Sequence, residues 1–198
     1  MEKEIPDTTS TLSIVLVDLN SDESLTSAID TIAARHGRLD VLINNGGGST
    51  DQYVENGQMS IREAFNAAWD TNVSGTHVLT HMAIPLLLKS ADPRLMFVTS
   101  GTSTMTETET KLNMPINASP SAGWPKPPGP NPITAYRSSK AGLNMVMREW
   151  YRILKNDGVK VWCISPGFLA TGLAGIGAER LKQVGKHDQG HHHKTLMR

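Results

Sequence analysis

Tyr136 and Lys140 are the residues of this sequence whose types and spacing are best suited to chemistry. They stand four positions apart near the start of a predicted helix, so their side chains lie on one helical face. An ammonium held near a phenol favours the phenolate, which lowers a phenol pKa that is about 10 when unperturbed. The pair therefore predicts a tyrosine that gives or takes a proton near neutral pH.

Tyr151 and Lys155 have the same spacing in the same predicted helix, so spacing alone does not identify a site. The neighbouring residues separate the two pairs. The residues around Lys140 are small and allow a ligand to approach closely: Ser138, Ser139, Ala141 and Gly142. Tyr151 lies among bulky side chains, and we interpret it as structural.

Strands and helices alternate along the elements that must position this pair. Apolar runs predict four strands, at residues 13–19, 39–43, 94–100 and 159–165. Helical spacing of apolar residues predicts helices at 21–36, 62–89 and 135–156, the second with a kink or a break before Pro85. This alternation is typical of an α/β fold, in which helices flank a parallel sheet.

Each predicted strand ends in polar residues or in glycine, at the edge of such sheets where ligands bind. These ends are Asp18, Asn44–Gly48, Thr99-Ser100 and Pro166-Gly167. Taken one at a time, they could be ordinary polar turns. Their recurrence at all four ends predicts a binding site along the carboxyl edge of the sheet.

In their order along the chain, these motifs resemble the short-chain dehydrogenase/reductase family, and fungal members in particular, from about residue 12 to 175. The residues that carry the resemblance are Asp18, Asn44-Asn45-Gly46-Gly47, Asn72, Ser100, Tyr136-x-x-x-Lys140 and Pro166-Gly167-x-x-x-Thr171. The resemblance implies a Rossmann-like doubly wound parallel sheet. It also implies an NAD(P)-dependent oxidoreductase that transfers a hydride between a nicotinamide cofactor and a carbonyl or alcohol substrate.

The resemblance implies a role for each catalytic residue. Tyr136 would be the general acid or base, and Lys140 would lower its pKa and bind the nicotinamide ribose. Ser100 would bind the substrate oxygen, and Asn72 would hold a water that relays protons from Lys140 to solvent. From the residues alone, Asn72 could instead be an exposed helix residue, and Ser100 could be a turn residue at the end of a strand.

The resemblance also implies a cofactor site, for NADP or NAD, with NADP favoured. Its residues would be Asp18 at the adenine, Asn44 as a brace of the strand ends, Gly46 and Gly47 beside the adenosine ribose, and Pro166, Gly167 and Thr171 at the nicotinamide carboxamide. From the residues alone, Asp18 could instead cap the approach to the first helix. The family-typical assembly is a homodimer or a homotetramer.

Three features depart from the family pattern. Gly46 replaces the usual alanine, which loosens the backbone without removing a contact. Residues 101–133 separate Ser100 from Tyr136 by more than the family commonly has, which indicates an insertion. Its proline-rich stretch at 124–130 predicts a semi-rigid flap on the substrate side.

The third departure is the glycine-rich turn Thr-Gly-x-x-x-Gly-x-Gly, which in the family holds the cofactor's pyrophosphate at a helix N-terminus. No such turn occurs before Asp18. We therefore predict a chain truncated at both ends, lacking the first strand-helix-strand unit and the last strand. Residues 1–175 would be a partial domain, and 176–198 a helix-like segment with a disordered tail. The strand ending at Asn44 would then have an open edge, and the strand at 13–19 would lose its neighbour.

Two other functions remain open. The chain could be a non-catalytic family member that cannot hold the cofactor, because the pyrophosphate turn is absent. A sugar-nucleotide epimerase also uses a Tyr-x-x-x-Lys pair, but Asn44-Asn45 and Pro166-Gly167-x-x-x-Thr171 favour the short-chain family.

The composition limits the partners. The 198 residues carry 19 Lys and Arg against 19 Asp and Glu, which argues against nucleic acid or an anionic membrane surface. No apolar run approaches the roughly 18 residues of a membrane span, and the polar first residues predict a cytoplasmic protein. Cys163 is alone and cannot form an internal disulfide. We predict no metal site, since the consecutive histidines at 191–193 rarely converge on one ion, and a small-molecule substrate is the expected partner.

Overall fold

The computed structural model describes residues 10–110, 115–126, 133–167 and 173. Its α-helices are α1 (Asp22–His36), α2 (Asp51–Glu55), α3 (Ile61–Trp69), α4 (Thr76–Leu87), α5 (Met105–Thr110) and α6 (Thr134–Leu154). Its β-strands are β1 (Val41–Asn44), β2 (Arg94–Val98) and β3 (Lys160–Ile164). A π-helical turn (Asp70–Gly75) joins α3 to α4, and 3₁₀ turns form at Gly101–Ser103, Pro115–Asn117 and Lys155–Asp157.

The strands form one parallel sheet in the order β1-β2-β3. Val41 of β1 lies opposite Arg94 of β2, which in turn lies opposite Lys160 of β3. Helices connect consecutive strands, so their carboxyl ends meet at one edge of the sheet. The predicted α/β fold with a parallel sheet is confirmed.

The core lies where α6 packs against the sheet. Leu95 and Phe97, on the central strand β2, are fully buried. α6 presents apolar residues at helical spacing to this cluster: Leu143, Met147, Trp150 and Leu154. This packing holds α6 against the strands, so that the first turn of α6 and the end of β2 keep a fixed relation.

The predicted first helix is confirmed to the residue at its start. Ser21 is the N-cap of α1, and its hydroxyl accepts a hydrogen bond of 3.2 Å from the Ser24 amide. Gly37 ends the helix with a φ of 70°, a left-handed conformation that glycine adopts without strain, and its amide bonds to Ala33.

The second predicted helix is divided, but not at Pro85. α4 runs through Pro85 to Leu87, so the prediction of a break there is wrong. Pro85 cannot donate to the carbonyl four residues before it, but the helix continues for two more residues and ends at Leu87. The irregularity is the π turn, which carries the buried Asn72. Insertions of this kind often lie at functional sites.

The predicted strand at 13–19 is wrong, since no strand forms there. Ile14 and Leu16 are 88% and 89% exposed, and the segment ends in a turn at Leu19. A strand needs a neighbour for its backbone hydrogen bonds, and among the described residues this segment has none. Among the described strands β1 lies at an edge of the sheet, as predicted, and Ile43 there is 54% exposed.

Leu19 nevertheless anchors this segment to the π turn. A Cβ built on Gly75 would lie 1.9 Å from the carbonyl oxygen of Leu19, so only glycine allows this contact. The Thr71 hydroxyl adds a hydrogen bond of 2.8 Å to the Asn20 side chain. The turn that precedes α1 is therefore packed directly on the element that carries Asn72.

Two further predictions concern regions that are partly outside the described residues. Within 101–133, which the sequence predicts as a loop, the described part contains α5 and two short 3₁₀ turns. The predicted tail at 176–198 lies outside the described residues. Among the helices that are described, none is long and apolar enough to cross a membrane.

We expect Gly75→Ala to lower the free energy of unfolding by about 1–3 kcal/mol, as at other overpacked sites. The new methyl group would collide with the Leu19 carbonyl, and this cost exceeds the gain in helix propensity of about 1 kcal/mol. Urea denaturation measures the difference. Ser74→Ala, at the half-buried neighbouring position, is the control and should change the value by less than about 0.5 kcal/mol. A Gly75→Ala protein as stable as the wild type would contradict the packing of Leu19.

Candidate active site at the carboxyl edge of the sheet

Ser100 and Tyr136 meet at the end of the central strand. Ser100 follows β2, and Tyr136 lies in the first turn of α6. The Ser100 side chain lies near enough to the Tyr136 phenol to lower the pKa of that phenol. The Ser100 hydroxyl also lies 2.8 Å from that of Thr102, and its carbonyl accepts a bond of 2.6 Å from Ser103. The insertion after Ser100 thus does not separate the two predicted catalytic hydroxyls.

Lys140 is buried one helical turn below Tyr136. Its side chain is 5% exposed, and its ammonium donates a hydrogen bond of 3.0 Å to the Val98 carbonyl at the end of β2. The nitrogen lies 5.9 Å from the centre of the Tyr136 ring. Burial lowers the pKa of Lys140 to about 8, because the charged form loses its water.

The pKa of Tyr136 is raised, also by burial, and the hydrogen bond from Ser100 opposes that rise. The expected lowering of this pKa by Lys140 is therefore not what the structure shows. The reason is geometric, since the ammonium is directed to the Val98 carbonyl. In this arrangement the phenol keeps its proton at neutral pH.

Asn72 is fully buried in the π turn and uses its whole amide. Its oxygen accepts a bond of 2.8 Å from the Gly48 amide, and its nitrogen donates bonds of 2.9 Å to the Gly48 carbonyl and the Ser139 hydroxyl. The alternative of an exposed helix residue is wrong. Asn72 instead joins the loop after β1 to the helix that carries Tyr136.

Gly47 lies against the two buried polar groups of the site. A Cβ at this position would be 2.6 Å from the Asn72 side-chain oxygen and 3.2 Å from the Lys140 nitrogen. A Cβ at the next residue, Gly48, would meet nothing within 4 Å. The absence of a side chain at 47 therefore leaves a cradle beside Lys140.

Asn44 and Gly46 occupy the predicted strand end with different partners. Asn44 is buried at the end of β1 and donates a bond of 3.0 Å to the Thr80 hydroxyl of α4. Its side-chain oxygen is buried without a partner among the described residues. A Cβ at Gly46 would lie 3.0 Å from the end of the Leu19 side chain, which fills the space that alanine would otherwise use.

The described contacts do not bring the other predicted cofactor residues close to Lys140. Asp18 is exposed, and its carboxylate accepts a bond of 2.9 Å from the Asn20 amide, which agrees with the alternative of a cap before α1. Pro166 and Gly167 follow β3 and are exposed. Thr171 lies outside the described residues.

Arg137, inside the Tyr-x-x-x-Lys motif, is a residue that the sequence does not single out. It donates to the carbonyls of Thr102 and Ile116 at 2.7 and 3.2 Å, and to the Asn117 side chain at 2.7 Å. These acceptors all belong to the insertion. Arg137 thus fastens the insertion to the first turn of α6, beside Tyr136.

Asp51 and Asn144 are two other polar residues that the sequence does not indicate. The Asp51 carboxylate accepts two backbone amides of α6. The side chain of Asn144 donates a hydrogen bond of 3.1 Å to the Ser103 hydroxyl and accepts one of 3.4 Å from the Cys163 thiol. No spacing rule in the sequence points to them, since their partners lie far away along the chain.

The residues present fit the nicotinamide end of a dinucleotide better than its pyrophosphate. Tyr136, Lys140 and the cradle at Gly47 lie together, and a bound group could approach Lys140 there because no Cβ fills that space. The family's pattern Thr-Gly-x-x-x-Gly-x-Gly does not occur before Asp18. Among the described residues, no group of three or more acidic, His or Cys side chains could hold a metal ion.

Comparison with known proteins places this arrangement among related chains. The family model described as short chain dehydrogenase matches residues 1–111, which include Asn72 and Ser100. Short-chain dehydrogenase/reductase tropE of Talaromyces stipitatus is 46% identical over 178 residues, covering 87% of this chain and 63% of that protein. Short-chain dehydrogenase/reductase eupG of a Phoma species is 48% identical over 170 residues, covering 85% and 60%. This chain thus spans about three-fifths of the length of these relatives.

The fold has solved counterparts. A crystal structure of a short-chain dehydrogenase from Streptomyces avermitilis superposes with a TM-score of 0.59 at 23% identity. The superposition covers 82% of this chain and 50% of that one. At this identity the likeness concerns the fold alone.

We expect Gly47→Ala to disrupt the site. The methyl group would push the Asn72 amide and the Lys140 ammonium apart, because it would lie 2.6 and 3.2 Å from them. Unfolding in urea should show a loss of about 1–3 kcal/mol. Gly48→Ala is the matched control, since its Cβ meets nothing within 4 Å and the backbone bonds to Asn72 remain. Equal stability of the two variants would contradict the close packing of Gly47 against Asn72 and Lys140.

Proposed function

The chain belongs to the short-chain dehydrogenase/reductase family, and on that premise we propose that it carries the catalytic part of an oxidoreductase. The reaction would move a hydride between a nicotinamide cofactor, NADP or NAD, and a carbonyl or alcohol substrate. The observation that supports this most is the position of the buried Lys140, whose nitrogen lies 5.9 Å from the centre of the Tyr136 ring, with Ser100 beside the same phenol. Such a group of two hydroxyls and one ammonium suits proton transfer to a single oxygen.

The bound nicotinamide would supply the hydride, and the chain's own residues would handle the proton. The Ser100 hydroxyl and the Tyr136 phenol are close enough to bind one substrate oxygen together. Because burial raises the pKa of Tyr136, the phenol holds its proton and can donate it as charge develops on that oxygen. This proton state favours reduction of a carbonyl over oxidation of an alcohol.

Lys140 would stabilise the phenolate that remains after donation. Its pKa of about 8 means that it is charged at neutral pH, at 5.9 Å from the ring centre. The Val98 carbonyl holds the ammonium in place, and a cofactor ribose could reach it beside Gly47, where no side chain intervenes. Asn72 already spends its amide on Gly48 and Ser139, so we assign it to holding the loop, with the water relay as an additional role.

A non-catalytic family member is the second candidate, and one observation favours it. The Asp18 carboxylate, which the resemblance assigns to the adenine, is bonded to the backbone amide of Asn20 instead. Cofactor affinity separates the two candidates directly.

We expect a fluorescence titration with NADPH or NADH to show binding, and Tyr136→Phe to lower carbonyl reduction by about 10²–10⁴-fold. The loss should fall on kcat, because phenylalanine keeps the ring and removes the proton donor. Tyr151→Phe is the matched control. Tyr151 stands four positions before a lysine in the same helix, as Tyr136 does, but it is 41% exposed. Its replacement should leave turnover unchanged.

Absence of cofactor binding and of carbonyl turnover in the wild-type chain would favour the non-catalytic candidate. Equal activity of Tyr136→Phe and the wild type would exclude Tyr136 as the proton donor.

We expect Lys140→Met to be more stable than the wild type at pH 7, by about 1–3 kcal/mol. Burial lowers the folded pKa of Lys140 from 10.5 to about 8, so the folded protein binds fewer protons than the unfolded chain between these values. Wild-type stability should therefore rise relative to the variant as the pH goes from 8 to 10.5. Denaturation at several pH values measures this slope.

A further inference from the structure

α6 begins without a cap of its own. Its N-cap residue is Ile133, whose side chain accepts no hydrogen bond. The first backbone amides of a helix have no partner within the helix and need an acceptor from elsewhere. The amides that need an acceptor are therefore in the first turn of α6, which contains Tyr136 as the third residue of the helix.

Asp51 supplies the acceptor from a distant part of the chain. One carboxylate oxygen accepts the Ala135 amide at 2.8 Å, and the other accepts the Tyr136 amide at 2.9 Å. These are the second and third helical positions, the ones that an N-cap side chain normally serves. Asp51 is 6% exposed, so both bonds are shielded from water. A carboxylate also interacts favourably with the helix dipole at this end.

The segment before Asp51 is itself held at fixed points. Gly48 exchanges two backbone hydrogen bonds with the Asn72 amide. The Thr50 hydroxyl donates a bond of 2.7 Å to the Ala64 carbonyl of α3. Residues 48–51 thus connect two fixed points. Gly48 is bonded to Asn72 beside Lys140, and Asp51 is bonded to the backbone of Tyr136.

We propose that Asp51 is the positioning residue of the proton donor, which it places relative to Ser100 by holding the Tyr136 backbone. This inference rests on the proposed role of Tyr136. Asp51 holds the main chain of Tyr136, and the phenol of the same residue lies beside the Ser100 side chain. Small displacements of a reacting group, on the order of 1 Å, can cost about 10²-fold in rate.

The matched test compares Asp51→Ala with Glu63→Ala. Glu63 is also a carboxylate that accepts a backbone amide at a helix start, from Ser60 at 2.7 Å, but it caps α3. Both variants lose a cap and some stability, while only Asp51→Ala releases the Tyr136 backbone. Asp51→Asn, which keeps the size of the side chain and one acceptor, replaces Asp51→Ala if the latter fails to fold.

Two readouts do not need catalysis. Hydrogen exchange at the Ala135 and Tyr136 amides should become faster by about tenfold or more in Asp51→Ala. Spectrophotometric titration, taken as the difference from a Tyr136→Phe background, should show the pKa of Tyr136 falling toward its ordinary value as the phenol gains access to water. Glu63→Ala should change neither.

With carbonyl turnover as a third readout, Asp51→Ala should lower kcat by about tenfold or more with KM within about twofold. Unchanged exchange and phenol titration in Asp51→Ala would overturn the proposal, and so would equal changes in Glu63→Ala. A wild-type chain without cofactor binding or turnover would overturn the proposed function instead, while the exchange and titration experiments still decide the role of Asp51.

Discussion

The buried amide of Asn72 is the interaction on which the rest of the site depends. A fully buried amide without partners would cost several kcal/mol, so the structure must bring acceptors and donors to it. Gly48 and Ser139 supply them, and they belong to the loop after β1 and to α6. One side chain therefore fixes three elements at the sheet edge. The π turn that carries it is in turn packed on Leu19, which requires glycine at position 75.

Burial then sets the chemistry of the two titrating groups. It lowers the pKa of Lys140 to about 8 and raises that of Tyr136, so it favours the neutral form of both. The ammonium is held at the Val98 carbonyl, and the phenol lies beside the Ser100 side chain. These proton states are the ones on which the proposed reduction of a carbonyl relies.

Local sequence signals predicted those elements whose hydrogen bonds close within a few residues. The sequence predicts the N-cap at Ser21 and the end of the helix at Gly37, because their hydrogen-bond partners, Ser24 and Ala33, are three and four positions away. The strand at 13–19 was not, because a strand needs a neighbour that local sequence does not contain. The sequence predicts a kink or a break before Pro85, but α4 continues through it to Leu87, and the irregularity lies in the π turn that carries Asn72.

The sequence by itself determined the types and the order of the site residues, with Tyr136 and Lys140 one turn apart and Ser100 after a strand. It also determined the alternation of helix and strand that brings strand ends to one edge. Only the tertiary structure decided which groups these residues meet. Asp51 accepts a hydrogen bond from Tyr136, which is 85 positions away along the chain. Arg137 donates hydrogen bonds to three acceptors of the insertion. The physical reason is that backbone preferences act between near neighbours, whereas buried polar groups must find partners wherever packing places them.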